Sequence, residues 1–150
     1  MTFRLPRPRR PLAEERPVAG DPPPSVDPPP SVDPEGEAVT VEVVGSTSVA
    51  RRLDEAVPPG WRVVATPAPS HHPCVDVVVL VRPDRTRVLD VLARHRGVQV
   101  AVVLDRAAPA SEIADLLDEG VTACVREGPA PLVVGHLVAC RRRRADRAPG

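Results

Sequence analysis

Four stretches of this 150-residue chain carry side chains able to do chemistry. His71-His72-Pro73-Cys74 sets three metal-ligand types within four positions. Two adjacent histidines cannot easily turn toward one ion, and no second ligand cluster follows at zinc-like spacing, so no metal is expected. Cys124 lies in an apolar run without a neighbouring His or acid, and with Cys74 and Cys140 it makes an odd total lacking a CxxC pair. Buried structural thiols are expected, with Cys74 entering a strand, and neither a nucleophile nor a disulfide framework. Gly45-Ser46-Thr47-Ser48 stands where a phosphate loop would sit, but it matches neither GxGxxG nor GxxxxGK(S/T), so no nucleotide cofactor is expected. Arg141-Arg142-Arg143-Arg144, with Arg147, forms a cationic end. Consecutive helical residues point about 100° apart and make no single flat surface. Positive charge there suits a helix C-terminus by about 0.3–1 kcal/mol; no nucleic-acid partner is expected, and any contact through it would be nonspecific.

These residues need elements to position them, and composition shifts mark where the elements lie. Eleven of 21 prolines fall in residues 1–37, with the repeats Asp21-Pro-Pro-Pro-Ser-Val26 and Asp27-Pro-Pro-Pro-Ser-Val32. Proline fixes φ and removes the amide donor, so residues 1–37 read as a disordered or polyproline-like arm. Residues 38–142 read as the folded domain and 143–150 as a disordered Arg-rich tail. The 20 Arg balance 20 acids overall, yet residues 1–140 are slightly acidic and the last ten basic. No stretch approaches the roughly 20 apolar residues that cross a bilayer, and Pro-rich sequence stands where a signal peptide needs an apolar core. A cytoplasmic protein without membrane contact is expected.

Within the domain, β-branched runs alternate with helical periodicity. Residues 39–44, 61–65, 75–81, 98–104 and 121–125 read as strands, the third and fourth as continuous apolar runs suited to central parallel strands. Residues 48–57 carry Val49, Leu53, Ala56 and Val57 on one helical face before Pro58-Pro59-Gly60 stops it. Further helices are expected over 86–96, 109–119 and 131–144. Counted as five strands alternating with five helices, the pattern predicts an α/β three-layer sandwich with a five-stranded parallel sheet. Right-handed crossovers make a flavodoxin-like (βα)5 fold of order 2-1-3-4-5 the expectation.

The phrases Val75-Asp76-Val77-Val78-Val79-Leu80-Val81-Arg82-Pro83 and Gly120-Val121-Thr122-Ala123-Cys124-Val125, set in this ladder, resemble the receiver domain of bacterial response regulators over residues 38 to about 142. In that family an Asp ending the third strand accepts a phosphoryl group, and two acids after the first strand hold Mg²⁺. A Ser or Thr after the fourth strand and a Lys after the fifth bind the new phosphoryl group. Magnesium takes hard carboxylate oxygens, and developing phosphoryl charge needs a cation and an oriented donor. On this chain the corresponding positions hold Gly45 and Ser46, Val81, Leu104 and Glu127. The resemblance therefore implies a pseudo-receiver: a non-enzymatic regulatory module without cofactor that acts through protein contacts.

In the family the fourth helix, fifth strand and last helix form the usual dimer face. The last helix here is apolar on more than one side, so Ile113, Leu117, Val133, Leu137 and Arg141 are the candidate interface for a protein partner or a second copy. The short sequence after the Arg run implies a stand-alone adaptor or a truncated relative of a DNA-binding regulator. The alternative is a small α/β ligand-binding protein or enzyme whose site lies at the strand C-terminal ends near Ser46, Arg82, Asp84 and Asp105.

Overall fold

Alternate residues of a strand face opposite sides, and in residues 77–81 of this chain both sides are Val or Leu. Such strands are stable only between two layers of helix. The structure, a computed structural model, describes residues 38–70 and 74–147. Strands β1 (Val39–Val44), β2 (Trp61–Thr66), β3 (Val77–Val81), β4 (Gln99–Leu104) and β5 (Ala123–Arg126) form one sheet. Its order is β2-β1-β3-β4-β5 and every neighbouring pair is parallel. The expected flavodoxin-like order is thus observed. One row of paired residues, Ala65, Val43, Val79, Ala101 and Ala123, crosses the whole sheet.

Helices α1 (Thr47–Asp54), α2 (Arg85–Arg94), α3 (Ala110–Asp118) and α4 (Ala130–Arg147) complete the layers. Val49, Ala50 and Leu53 of α1 and Val133, Val134, Leu137 and Cys140 of α4 pack on Val39, Val41, Val43, Val77, Val79, Val81, Ala101, Val103, Ala123 and Val125. On the opposite face, Val88 and Val91 of α2 and Leu116 of α3 pack on Val44, Val78, Leu80, Val100, Val102 and Leu104. Each fully buried Val or Leu contributes about 1.5–3 kcal/mol, so the core rests on many small side chains. Trp61, at the start of β2, sits partly buried at the margin of the first cluster, as do Ala56 and Val57.

Three differences from the sequence reading have physical causes. Four helices are present among the described residues, not five: none joins β2 to β3, where Pro67 and Pro69 each remove an amide donor. The third strand begins at Val77, not residue 75. Asp76 ends the connection instead: its Oδ2 accepts from Thr40 N at 2.9 Å, and its own N–H donates to Thr40 O at 3.0 Å. Consequently Cys74 is exposed, outside the strand expected to bury it. The last helix continues to Arg147, so residues 143–147, expected in a disordered tail, are helical. Arg and Ala are good helix formers, and no Gly or Pro interrupts that stretch. The arm at 1–37, the His71-His72 pair and residues 148–150 lie outside the described residues.

Candidate functional site

The C-terminal ends of parallel strands converge on one edge of the sheet, and the five positions singled out by the resemblance all lie there. β1 ends at Val44, and Gly45 turns the chain with φ 98°. A Cβ at Gly45 would stand 3.1 Å from Val81 O, so glycine is required both by its φ and by this close approach to β3. Ser46 caps α1: its hydroxyl accepts from Val49 N at 3.3 Å and lies 3.0 Å from Ser48 Oγ. Val81 closes β3 and is buried in the α1/α4 core. Arg82 follows with φ 45°, a left-handed conformation costing an L-residue about 1–2 kcal/mol, and its N–H donates to Val103 O at 2.7 Å. Leu104 closes β4, buried in the other cluster, and its carbonyl accepts from Glu127 N at 2.8 Å.

Glu127 is the charged centre of this edge. Its carboxylate oxygens lie 3.7 Å from Arg52 Nη2 and 3.9 Å from Arg82 Nη2. At such lengths and exposures each pair contributes at most about 1 kcal/mol. The strand-end edge thus carries one acid flanked by two guanidinium groups. Arg52 was not anticipated from sequence; its only trace there is its place on the polar side of the first helix.

The residues at this edge do not fit Mg²⁺. Gly45 and Val81 offer no side-chain oxygen, the Ser46 hydroxyl serves the helix cap, and Glu127 faces two guanidinium groups. Among the described residues no group of three His, Cys, Asp or Glu could hold a metal ion. The nearby acids also have local tasks. Asp84 caps α2 by accepting from Arg87 N at 2.8 Å, and Asp105 accepts from Ala107 N at 3.0 Å. The crevice between Arg52, Val103, Glu127 and Ala130 encloses about 10 Å³, no more than the least space that holds one water.

The candidate interface residues separate into two groups. Val133 and Leu137 are 4% and 2% exposed, which corrects their place from surface to core. They share the inward stripe of α4 with Val134 and Cys140, leaving Leu132 outward at 61% exposure. Arg141 is likewise intramolecular, its Nη1 lying 3.4 Å from Asp76 Oδ1. Ile113 is half-buried against the α2/α3 cluster, and Leu117 is 45% exposed. Cys124 is half-buried on β5; burial, and secondarily the Glu112 carboxylate, push its thiol up to about 11. Cys140 is buried.

The chain has the fold of response regulator receiver domains. It superimposes on the receiver domain of ChxR from Chlamydia trachomatis with a TM-score of 0.53 and 17% identity, covering 70% of this chain and 97% of that one. A pilus assembly-related protein from Burkholderia pseudomallei matches with a TM-score of 0.55 and 17% identity, over 75% of this chain and 93% of that chain. No protein-family model matches the sequence. No curated protein matches it either.

Proposed function

We propose that the domain is a receiver-like signalling module that acts through protein contacts and does not transfer a phosphoryl group. The observation that carries this reading is the composition of the strand-end edge. Val81 and Leu104 are buried apolar side chains where the fold's phosphoryl chemistry needs an acceptor carboxylate and a hydroxyl. Glu127, engaged by Arg52 and Arg82, puts negative charge where that chemistry needs a cation. The near absence of space beside Glu127, together with the turn-forming roles of Asp84 and Asp105, counts against a ligand-binding enzyme at this edge.

In this reading the output surface is the side formed by α3, β5 and the outer face of α4, where Leu117 and Leu132 are exposed and Ile113 is half-buried. The partner is a protein or a second copy, and the setting is the cytoplasm. No described helix is long and apolar enough to cross a membrane.

The test is incubation with acetyl phosphate and Mg²⁺ followed by intact mass. The expected result is an unchanged mass over hours at millimolar donor; a stable phosphoryl adduct would overturn the reading. Light scattering of wild type and Leu132→Asp then asks whether the chain self-associates through this side.

A further inference from the structure

Consecutive helical arginines point about 100° apart, and the fold gives the members of the Arg run different surroundings. Arg141 pairs with Asp76. Arg143 and Arg144, joined one turn on by Arg147, line a cavity of about 320 Å³ at the end of the sheet where β4 and β5 begin, while exposed Arg142 does not. Residues three and four apart are neighbours on a helix, which brings Arg147 beside the other two. The cavity is within the size range of small-molecule sites. Gln99, the first residue of β4, Thr122, just before β5, and Cys140 also line it, and no described acid does. Elsewhere Arg85 is paired with Glu119 and Arg94 with Asp90, but Arg143, Arg144 and Arg147 have no acid partner among the described residues. Arg143 is braced against its own helix: Nε donates to Ala139 O and Nη2 to Cys140 Sγ, each at 3.4 Å.

Three guanidinium groups around one cavity repel one another, and the dipole at the end of α4 offsets only about half a unit charge. An anion held among them removes that repulsion. A neutral donor is present too: Thr122 Oγ1 accepts from Val100 N at 3.3 Å, and the exposed hydroxyl keeps its own proton for a ligand, having no acceptor among the described residues. Gln99 Nε2 is taken by Cys140 O at 3.1 Å, and its Oε1 is buried, so it sets no acceptor against an anion. A carboxylate offers two oxygens in one plane. A terminal phosphate offers three around a tetrahedral centre and a charge of about −1.5 to −2, which suits several guanidinium groups and a hydroxyl at once. We propose that this cavity binds a small molecule through a terminal phosphate, held by Arg143, Arg144 and Arg147 with the Thr122 hydroxyl donating the neutral bond. Free phosphate and phosphate monoesters share that group, whereas the backbone of nucleic acid carries diesters of single charge. None of this depends on the receiver-like reading, since the cavity shares no residue with the strand-end edge.

The test is a titration of the full ¹⁵N-labelled chain, at fixed ionic strength and slightly alkaline pH, with glycerol 2-phosphate, with inorganic phosphate and with acetate, followed at the backbone amides of Gln99 and Thr122. The expected result is a saturable shift with both phosphates, with affinity on the order of millimolar for so few contacts, and binding of acetate at least about tenfold weaker. Tighter binding of glycerol 2-phosphate assigns the ester; equal or tighter binding of inorganic phosphate assigns the free ion. Arg144→Gln and Arg147→Gln should each weaken phosphate binding at least about fivefold. Arg142→Gln removes the same charge from the same run but outside the cavity, and should leave the affinity within about twofold. All three positions are exposed, so the variants should fold as the wild type does. Absence of saturation in the wild type, acetate binding as tightly as phosphate, or an equal loss in Arg142→Gln and Arg144→Gln would overturn the proposal. So would a short DNA duplex that binds while neither phosphate saturates, since that would make the arginines a diffuse charge for diesters and not a site for a terminal phosphate.

Discussion

The two faces of the sheet are made by the same five strands and differ in what covers them. Beneath α1 and α4, the inward residues run from Val39, Val41 and Val43 in β1 to Ala123 and Val125 in β5 and are apolar except Gln99 at the start of β4, whose Nε2 donates to Cys140 O at 3.1 Å. On the other face α2 and α3 cover β3 and β4, and the β1 residues beyond them are Thr40 and Glu42, paired with Arg62 and Val64. Apart from Gln99, composition follows helix coverage along these strands. Positions under a helix take Val, Leu or Ala, because every buried polar atom there would need a partner. Positions beyond it tolerate charge, provided that neighbouring turns supply donors, as Thr66 and Ser70 do for Glu42.

The contrast predicts unequal costs for substitutions on the two faces, measurable by urea unfolding. The largest effect should come from Leu137→Ala in the closed face, which removes a 2% exposed side chain and should cost about 2–5 kcal/mol; Val64→Ala on the open face should cost less than about 1 kcal/mol. Equal losses would break the distinction. Glu42→Ala should fall between them, at about 1–3 kcal/mol, because Thr66 Oγ1 and the Ser70 amide lose their acceptor. If that variant is as stable as wild type, the polar network on the open face is dispensable.

The smallest effect is chemical. Alkylation at pH 7.5 should modify exposed Cys74 first and spare Cys124, whose rate should climb only as the pH rises toward about 11. Since the fold favours the neutral Cys124 thiol, its stabilising contribution is complete below its ordinary value of 9.0 and is lost as pH rises through about 11. Mass mapping of the labelled cysteines checks the order; early labelling of Cys124 would mean that α3 leaves this end of the sheet open.

Much of this was legible in the sequence because the signals were local. The run 39–44 gives β1 with both boundaries, whereas α1 ends at Asp54, three residues short of the 57 that the Pro58-Pro59-Gly60 stop suggests. Burial in α4 was less legible. Its apolar residues occupy more than one side, so periodicity could not tell inward Val133 and Leu137 from outward Leu132; the position of the sheet decides it. The strand-end site was legible as a list of residue types, but its charge arrangement depends on Arg52 reaching Glu127 from another element. Glu42 escaped notice because one acid in a Val-rich strand looks like an interruption. It marks the stretch of sheet that no described helix covers, and the prolines after β2 are the other sign of the same gap.

The position of Trp61 has a practical consequence. With no Tyr and one Trp in the chain, near-ultraviolet-excited emission comes from a single place, the start of edge strand β2. That fluorophore therefore senses the seam between β2 and the end of α1, not the Val-filled interior. If the edge frays before the rest, emission will change at lower denaturant than circular dichroism does, and a midpoint taken from fluorescence alone will understate the stability of the domain.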